Sequence, residues 1–230
     1  METNVEELLF PPYRRGKVAR VVGQIPKLSL LTPRQKIVGI VRKVPEVLVK
    51  ISGASKDFNR LCKHVEYISR NGEVELQDEH GYILSGKKVA IDKIENWKSD
   101  QDIPYKHGTK REAFHVVLSM PAGTSRDKVK QAAGEFARDV FRGHEYLMAE
   151  HRDEAHSHVH IIVKAVGEDD KRLNPRKKDL QAWRETFAVK LHDQGIEANA
   201  TKRVVRGRTR RAIKQPVLHA AKEKRPLNVD

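Results

Sequence analysis

The sequence predicts an α/β sandwich with a largely antiparallel central sheet, helices packed on one face and a histidine-rich site on the other. Three observations favour this fold. Strand and helix patterns interleave along the chain, the two histidine-rich strands follow each other as a hairpin, and the main helices each carry one apolar stripe. A hairpin makes its strands antiparallel, and a single stripe lets a helix cover one face of a sheet.

The charge of the chain is large and unevenly placed. The 230 residues carry a net charge of +14. Residues 1–45 have nine Lys and Arg against three acidic residues, residues 200–230 have ten against two, and the stretch between them is neutral. Basic ends around a neutral core are typical of proteins that meet a polyanion. Nucleic acid is favoured over a membrane because neither end shows the apolar face of a membrane helix.

We predict three parts in the chain. Residues 1–45 form a basic, proline-containing extended arm with a short helix near residues 34–42, residues 46–205 form the folded domain, and residues 206–230 form a basic tail. One cysteine excludes an internal disulfide, and no apolar run approaches the ~20 residues that span a bilayer. The first residues do not resemble a signal peptide. We therefore expect no membrane insertion and a cytoplasmic location.

The first half of the domain begins with a strand over residues 46–52. A helix over residues 56–70 follows, with Ser55 as its expected N-cap. A hairpin over residues 73–86 and a short helix over residues 89–97 complete this half.

One tyrosine of the helix over residues 56–70 lies away from its packing face. Phe58 and the apolar residues at helical spacing from it form the buried stripe. Tyr67 lies about 180° from Phe58 at 100° per residue. From the residues alone, Tyr67 is an ordinary surface residue or a side chain kept free for chemistry, and we interpret it as the former.

The second half of the domain contains a strand over residues 112–119 and a helix over residues 126–142. A hairpin over residues 145–165 follows. Asn174 is the expected N-cap of a last helix that runs to about residue 194, since a proline stands at its first position.

Four of the eleven histidines lie within residues 151–160. Side chains alternate along a strand, so His156, His158 and His160 share one face. If the hairpin pairs His151 with His158, His151 joins them as a third or fourth group. Histidine is the commonest protein ligand of divalent metals, and adjacent imidazoles are costly to bury unless their nitrogens are used. The cluster predicts a metal site; the alternative is a hydrated polar face without a metal.

The run from His151 to His160 reads His-x-Asp-x-x-x-x-His-x-His, and it resembles motif III of the MOBP-type HUH relaxases. That family includes the T-DNA border nicking protein. Two further matches occur in the family's order. Residues 65–76 (Val-Glu-Tyr-Ile-Ser-Arg-Asn-Gly-Glu-Val-Glu-Leu) resemble motif I, and residues 115–124 (His-Val-Val-Leu-Ser-Met-Pro-Ala-Gly-Thr) resemble motif II. The resemblance covers about residues 46–205 and implies an HUH endonuclease-like sandwich there.

The resemblance also implies a reaction. Relaxases nick one DNA strand at an origin of transfer by transesterification, and the motif I tyrosine forms a 5′-phosphotyrosine that starts conjugative transfer. It implies Tyr67 as the nucleophile and His151, His158 and His160 as ligands of Mg²⁺ or Mn²⁺, although imidazole also suits other transition metals. Asp153 would orient His151 or another imidazole as a further member of the catalytic site, and the equally weighted alternative is a solvated residue of the hairpin. No other cofactor is expected.

Three further residues are implied as DNA contacts. Arg70 belongs to the Ser-Arg-x-Gly run after the tyrosine, and Ser119 and Thr124 belong to motif II. Thr124 is equally suited to cap the helix that follows it. The implied partners are single-stranded origin DNA, accessory relaxosome proteins, a coupling protein and a type IV secretion system. Such a protein acts in the bacterial cytoplasm and is exported covalently bound to the transferred DNA.

Two other functions fit parts of the pattern. A rolling-circle replication initiator of the HUH class uses similar chemistry, but initiators usually place the tyrosine after the histidines. A non-catalytic DNA-binding protein with a structural metal would need four ligands in a tetrahedron, whereas the spacing supplies three readily. The order of motifs favours a relaxase, either a small mobilisation protein or a fragment of a longer one.

Overall fold

The computed structural model describes residues 31–101 and 108–202. This part of the chain contains one six-stranded sheet and five α-helices. The strands are β1 (Leu48–Ser55), β2 (Leu76–Asp78), β3 (Ile83–Leu84), β4 (Ala113–Ser119), β5 (Tyr146–His151) and β6 (His158–Lys164). The helices are α1 (Pro33–Val41), α2 (Phe58–Ile68), α3 (Lys87–Gln101), α4 (Arg126–Val140) and α5 (Lys177–Asp193).

The sheet has the order β1-β4-β6-β5-β2-β3, and all its strand pairs are antiparallel. β5 and β6 form the predicted hairpin, in which His151 is paired with His158. On the other side of β6, Ser119 of β4 lies opposite His158. The prediction of an α/β fold with a largely antiparallel sheet is confirmed, and the histidine strand is one of its central strands.

One face of the sheet, which we call the closed face, is covered by α4 and α5. The apolar strand residues buried on this face are Val49, Phe114, Val116, Leu118, Tyr146, Met148, Val159, Ile161 and Val163. The two helices bury Phe136 and Phe187 against them. Burial of this much apolar surface, at about 25 cal/mol per Å², is the main force that holds the helices on the sheet.

The opposite face, which we call the site face, carries the histidines and is covered over one end. There α2 and α3 bury Leu61, Val65, Ile68, Ile94 and Trp97 against the sheet. The sequence predicted that the helices lie on one face of the sheet and the histidines on the other. The histidines do lie opposite α4 and α5, but two helices share their face because Leu147, Ala149 and Ile162 are apolar there and must be covered.

Two helices begin later than the sequence predicted. Ser55, the expected N-cap of α2, is the last residue of β1 and is paired with Ala113. The N-cap is Asp57, whose side chain accepts a hydrogen bond from the backbone N–H of Arg60 at 2.9 Å. A carboxylate at this position also interacts well with the positive end of the helix dipole.

The expected N-cap of α5, Asn174, is likewise not used. The helix begins after Arg176, whose backbone N–H donates to the Asp179 side chain at 2.6 Å. Asp179 therefore satisfies one of the N–H groups that a helix start leaves without a partner.

The part of the predicted N-terminal arm that the structure describes is packed onto the domain. Leu31 is buried in the closed-face core, and α1 carries Lys36, which forms an ion pair with Glu185 of α5 at 2.9 Å. Residues 1–30 of the arm and the predicted tail, 206–230, lie outside the described residues. Within the described residues, no helix is long and apolar enough to cross a bilayer.

Candidate active site

Three of the predicted histidines converge at the end of the β5–β6 hairpin. His151 is the last residue of β5, and His158 and His160 point to the site face from β6. One ring nitrogen of each lies within 4.8 Å of those of the others. The ring centroids of His151 and His160 are 4.4 Å apart, and each is 5.3 Å from that of His158.

The local environment favours the neutral form of His151 and His160. All three are buried, with exposed fractions of 1% for His151, 7% for His158 and 9% for His160. Burial, followed by the other histidines, lowers the pKa of His160 from 6.5 to about 3, and burial also lowers the pKa of His151. A neutral imidazole keeps a lone pair, which is the form that binds a metal.

The second nitrogen of each ring tests whether the set fits a metal ion. His151 Nε2–H donates to the Ile68 carbonyl at 2.7 Å, and His158 Nδ1–H donates to the His156 carbonyl at 3.2 Å. Carbonyl contacts of this kind orient metal-binding histidines. The buried Nδ1 of His160 has no hydrogen-bond partner in the described part of the chain.

Small ring rotations would bring the three histidines to an ion. At metal–nitrogen distances of about 2.1 Å, two ligand nitrogens lie at most about 4.2 Å apart. The present separations are up to 4.8 Å. The three-nitrogen donor set and its spacing therefore fit a divalent metal.

Tyr67 lies at the mouth of this site. It is near the end of α2 and is 50% exposed. Its ring centroid is 5.8 Å from that of His160 and 6.1 Å from that of His151, and both contacts are edge-on. Tyr67, which the residues alone suggested to be an ordinary surface residue, lies beside the histidine cluster and off the packing face of its helix.

Arg70 links the tyrosine to the loop after β5. It has a left-handed backbone (φ 50°), as do the next two residues, and this turn brings its guanidinium to 5.2 Å from the centre of the Tyr67 ring. The same guanidinium donates to Asp153 and lies 3.3 Å from His151 Nδ1. The Ile68 carbonyl contacts His151 directly, whereas Asp153 reaches it through Arg70.

An open cavity of about 390 Å³ extends from the histidines across the uncovered end of the site face. Ser119 lines it, next to the paired His158. Thr124 does not line it; its hydroxyl donates to the Pro121 carbonyl at 2.9 Å in the turn before α4. The cavity walls are Leu48, Lys50, Ser52, His64, Tyr67, His115, Val117, Ser119, His156, His158 and His160.

His156 belongs to the cavity wall but not to the three-histidine cluster. It is exposed, and its ring stacks on His158 with centroids 4.9 Å apart. The fourth histidine of the motif therefore contributes its carbonyl to His158 and its ring to the surface.

Two histidines of the cavity wall, His64 and His115, were not predicted as site residues. His64 and His115 stack with their ring centroids 3.5 Å apart. Burial, followed by the charge of His151, lowers the pKa of His64 to about 4. Burial, followed by the charge of His64, lowers the pKa of His115 to about 3. His64 could have been found from the sequence, since residues three apart on a helix share a face and His64 precedes Tyr67 by three.

The chain matches a protein-family model described as "Relaxase: MobA/VirD2-like, nuclease domain" over residues 67–196. It is 28% identical over 188 residues to the T-DNA border endonuclease VirD2 of Agrobacterium fabrum (strain C58 / ATCC 33970), covering 73% of this chain and 42% of that protein. The corresponding endonuclease of Rhizobium radiobacter is 26% identical over 190 residues, covering 73% and 44%. The chain thus spans less than half the length of the curated relatives it matches.

Among solved structures, the chain is similar to one from a study titled "Molecular Basis of Vancomycin Resistance Transfer in Staphylococcus aureus". The identity is 11%, the TM-score is 0.42, and the alignment covers 69% of this chain and 99% of that chain.

Proposed function

This chain belongs to the MobA/VirD2-like relaxase family, whose nuclease domain it carries, and we propose that it nicks single-stranded DNA at an origin of transfer. In this proposal the nick is site- and strand-specific and leaves Tyr67 as a 5′-phosphotyrosine. The observation that carries it is the half-exposed Tyr67 beside three buried, clustered histidines at the mouth of an open cavity. A DNA strand that enters the cavity from solvent would therefore meet both Tyr67 and the histidines.

The proposed reaction is a transesterification at phosphorus. The Tyr67 hydroxyl loses its proton and its oxygen bonds to the scissile phosphorus. The bond from phosphorus to the 3′-oxygen breaks, and its electron pair stays on that oxygen, which takes up a proton to become a free hydroxyl. One phosphodiester replaces another, so the covalent intermediate preserves the energy needed to rejoin the strand.

The histidines would hold the metal ion. A Mg²⁺ or Mn²⁺ ion bound by His151, His158 and His160 would draw negative charge from the non-bridging oxygens of the scissile phosphate. The lowered pKa values of His151 and His160 suit this role, because a protonated imidazole cannot be a ligand.

Arg70 and Ser119 would hold the DNA strand on either side of the histidines. A guanidinium forms two parallel hydrogen bonds to phosphate, and Arg70 already lies against the Tyr67 ring. Asp153 keeps the Arg70 guanidinium in place between Tyr67 and His151. Thr124, which donates to the Pro121 carbonyl, would contact the strand only at the edge of the site.

The proposal extends to the setting of the reaction. The basic ends of the chain would supply salt-dependent affinity for the DNA backbone. The protein would act in the bacterial cytoplasm with accessory relaxosome proteins and then pass, bound to the strand, through a coupling protein and a type IV secretion system.

A denaturing gel tests the proposal. End-labelled single-stranded DNA that spans the origin of the element encoding the protein is incubated with the protein and Mn²⁺. We expect a slow-migrating, protease-sensitive adduct for the wild type and none for Tyr67→Phe. Tyr82→Phe is the matched control, because Tyr82 is 69% exposed and does not line the cavity.

The alternative outcomes are distinct. Cleavage without an adduct would indicate a metal-activated water as the nucleophile. An adduct that persists in Tyr67→Phe would assign another tyrosine. No cleavage of the correct origin would favour a DNA-binding protein with a structural metal.

A further inference from the structure

Three aromatic rings form a near-parallel stack that ends at Tyr67. The His115 and His64 rings are 3.5 Å apart and 8° from parallel, and the His64 and Tyr67 rings are 5.7 Å apart and 23° from parallel. His64 thus lies between a buried sheet residue and the exposed tyrosine. The contacts of Tyr67 with His151 and His160 are edge-on, so His64 is its stacked ring neighbour among the described residues.

The base of this stack is rigidly held. His115 is a central residue of β4 and is 9% exposed. The fully buried Ser55 hydroxyl lies 2.9 Å from His115 Nε2. β1 has a register shift between Ile51 and Gly53, and a Cβ at Gly53 would lie 3.2 Å from His115 Nδ1. A larger residue at Gly53 would therefore press on the ring that supports His64.

His64 itself is held by packing. In the described part of the chain its side chain makes ring contacts but no hydrogen bond or ion pair. Burial lowers its pKa to about 4, so at neutral pH it stacks as an uncharged ring. Its position one turn before Tyr67 on α2 aligns the two side chains on one side of the helix.

A nucleophile of this kind needs its ring direction fixed. Tyr67 is half exposed and stands near the last residue of α2, where packing from the helix itself is weak. In-line attack at phosphorus requires the oxygen to be aligned before reaction, and small misalignments of a reacting group are costly in rate.

We propose that His64, stacked on His115, is a positioning residue that sets the direction of the Tyr67 ring for attack on the scissile phosphate. This inference rests on the proposed role of Tyr67 as the nucleophile. It assigns His64 a stacking function that any flat, uncharged ring of similar size can supply, and it does not require either nitrogen of His64.

Substitutions at His64 separate stacking from proton transfer. We expect His64→Ala and His64→Gln to slow single-turnover adduct formation about tenfold or more, because the tyrosine is no longer aligned. The dissociation constant for single-stranded DNA should stay within about twofold in both. His64→Phe should keep the adduct rate within about threefold of wild type, since it restores the stacked ring.

A matched pair elsewhere on the surface is the control. The ring of His80 contacts that of Tyr82 at 6.2 Å, outside the cavity. His80→Ala should leave the adduct rate unchanged. If His64→Phe is as slow as His64→Ala, a nitrogen of His64 is needed and the stacking role is wrong. If His64→Ala reacts at the wild-type rate, His64 does not position the nucleophile.

A spectroscopic measurement tests the geometry without activity. The chain has five tyrosines, so protein labelled with 3-fluorotyrosine gives five fluorine resonances, each assigned by a Tyr→Phe variant. We expect His64→Ala to shift and narrow the Tyr67 resonance, His64→Phe to leave it broad, and His80→Ala to alter only Tyr82. An unchanged Tyr67 resonance in His64→Ala would overturn the stack.

The two failures are distinguishable. Absence of any adduct in wild type would count against the proposed nicking reaction while the fluorine spectra still report on the stack. A wild-type adduct with equal rates in all His64 variants would count against the positioning role alone. Thermal melts followed by circular dichroism show whether each variant is folded under the assay conditions, so that only folded proteins are compared.

Discussion

The closed face and the site face are made by the same strands and differ in nearly every physical property. β6 supplies Val159, Ile161 and Val163 to the closed face and His158 and His160 to the site face, because successive side chains point to opposite sides. The comparison shows how one strand can carry an apolar, stabilising surface on one side and a histidine-rich surface on the other.

The closed face is the stabilising side. Phe136 is in edge-on contact with Phe141, Trp183 and Phe187 at centroid distances of 5.8, 6.4 and 6.0 Å. All four rings are buried, and such pairs add to the free energy gained by burying their area.

The site face bears a cost. It buries three histidines against solvent, leaves His160 Nδ1 without a hydrogen-bond partner among the described residues, and keeps Tyr67 half exposed. Groups that are buried with strongly shifted pKa values are a common feature of active sites. The two faces should therefore respond differently to substitution and to acid.

The largest expected effect is loss of reaction from a change on the site face. His160→Gln should slow adduct formation by roughly a hundred- to a thousandfold, because charge on the phosphate is no longer stabilised. The free energy of unfolding should change by less than about 1 kcal/mol, since Gln is close to His in size and also polar and uncharged. Single-turnover gels and urea unfolding measure the two.

His144→Gln is the control for that experiment. His144 is a histidine whose pKa is lowered by burial, and its Nδ1–H donates to the Lys164 carbonyl at 3.0 Å. It does not line the cavity. His144→Gln should leave the rate of adduct formation per folded molecule unchanged. A His160→Gln protein that unfolds as it loses activity would mean that the histidines hold the fold together.

The closed face should show the reverse pattern. Phe136→Ala removes a fully buried ring and should lower the free energy of unfolding by about 3–5 kcal/mol. The adduct rate per folded molecule should remain near wild type, because the site residues keep their strand positions. A rate that falls along with stability would show that the two faces are coupled.

The smallest expected effect is on stability in acid. Histidine has a pKa near 6.5 when unfolded, and burial lowers it to about 4 in His64 and about 3 in His115. Between these values the unfolded chain binds more protons than the folded one. The free energy of unfolding therefore has its full value above about pH 6.5. It decreases as the pH falls from there toward 4 for His64 and toward 3 for His115.

Urea midpoints of metal-free protein from pH 7.5 down to pH 5 measure this loss. His115→Phe cannot titrate at that position, so its midpoint should fall less steeply with acid than that of wild type. His80→Phe, an exposed ring outside the cavity, should keep the wild-type slope. Parallel slopes for His115→Phe and wild type would refute the lowered pKa of His115.

Local pattern predicted much of the fold correctly. The alternation over residues 158–163 predicted β6 and the faces of its side chains, and the pairing of His151 with His158 follows from the hairpin. The predicted alternation began two residues too early, because His156 lies in the loop before β6. The apolar stripes of α2 and α4 are buried as expected. These features depend on neighbours within a few residues or one turn, and periodicity reports on such neighbours.

The helix ends were less predictable. Ser55 has the right chemistry for an N-cap, but in the folded chain it continues β1 beside Ala113, and its hydroxyl contacts His115. That competition comes from a strand 60 residues away along the chain, so no local rule could weigh it.

The sequence by itself determined the order of strands and helices, the alternation that separates the two faces, and the residue types of a tyrosine and histidine site. The tertiary structure alone decided that α2 and α3 share the histidine face, that Arg70 spans Tyr67, His151 and Asp153, and that His64 stacks between His115 and Tyr67. The physical reason is the distance along the chain between the residues that determine each feature. Periodicity encodes which way a side chain points, whereas contacts between distant segments are set by the packing of the whole sheet.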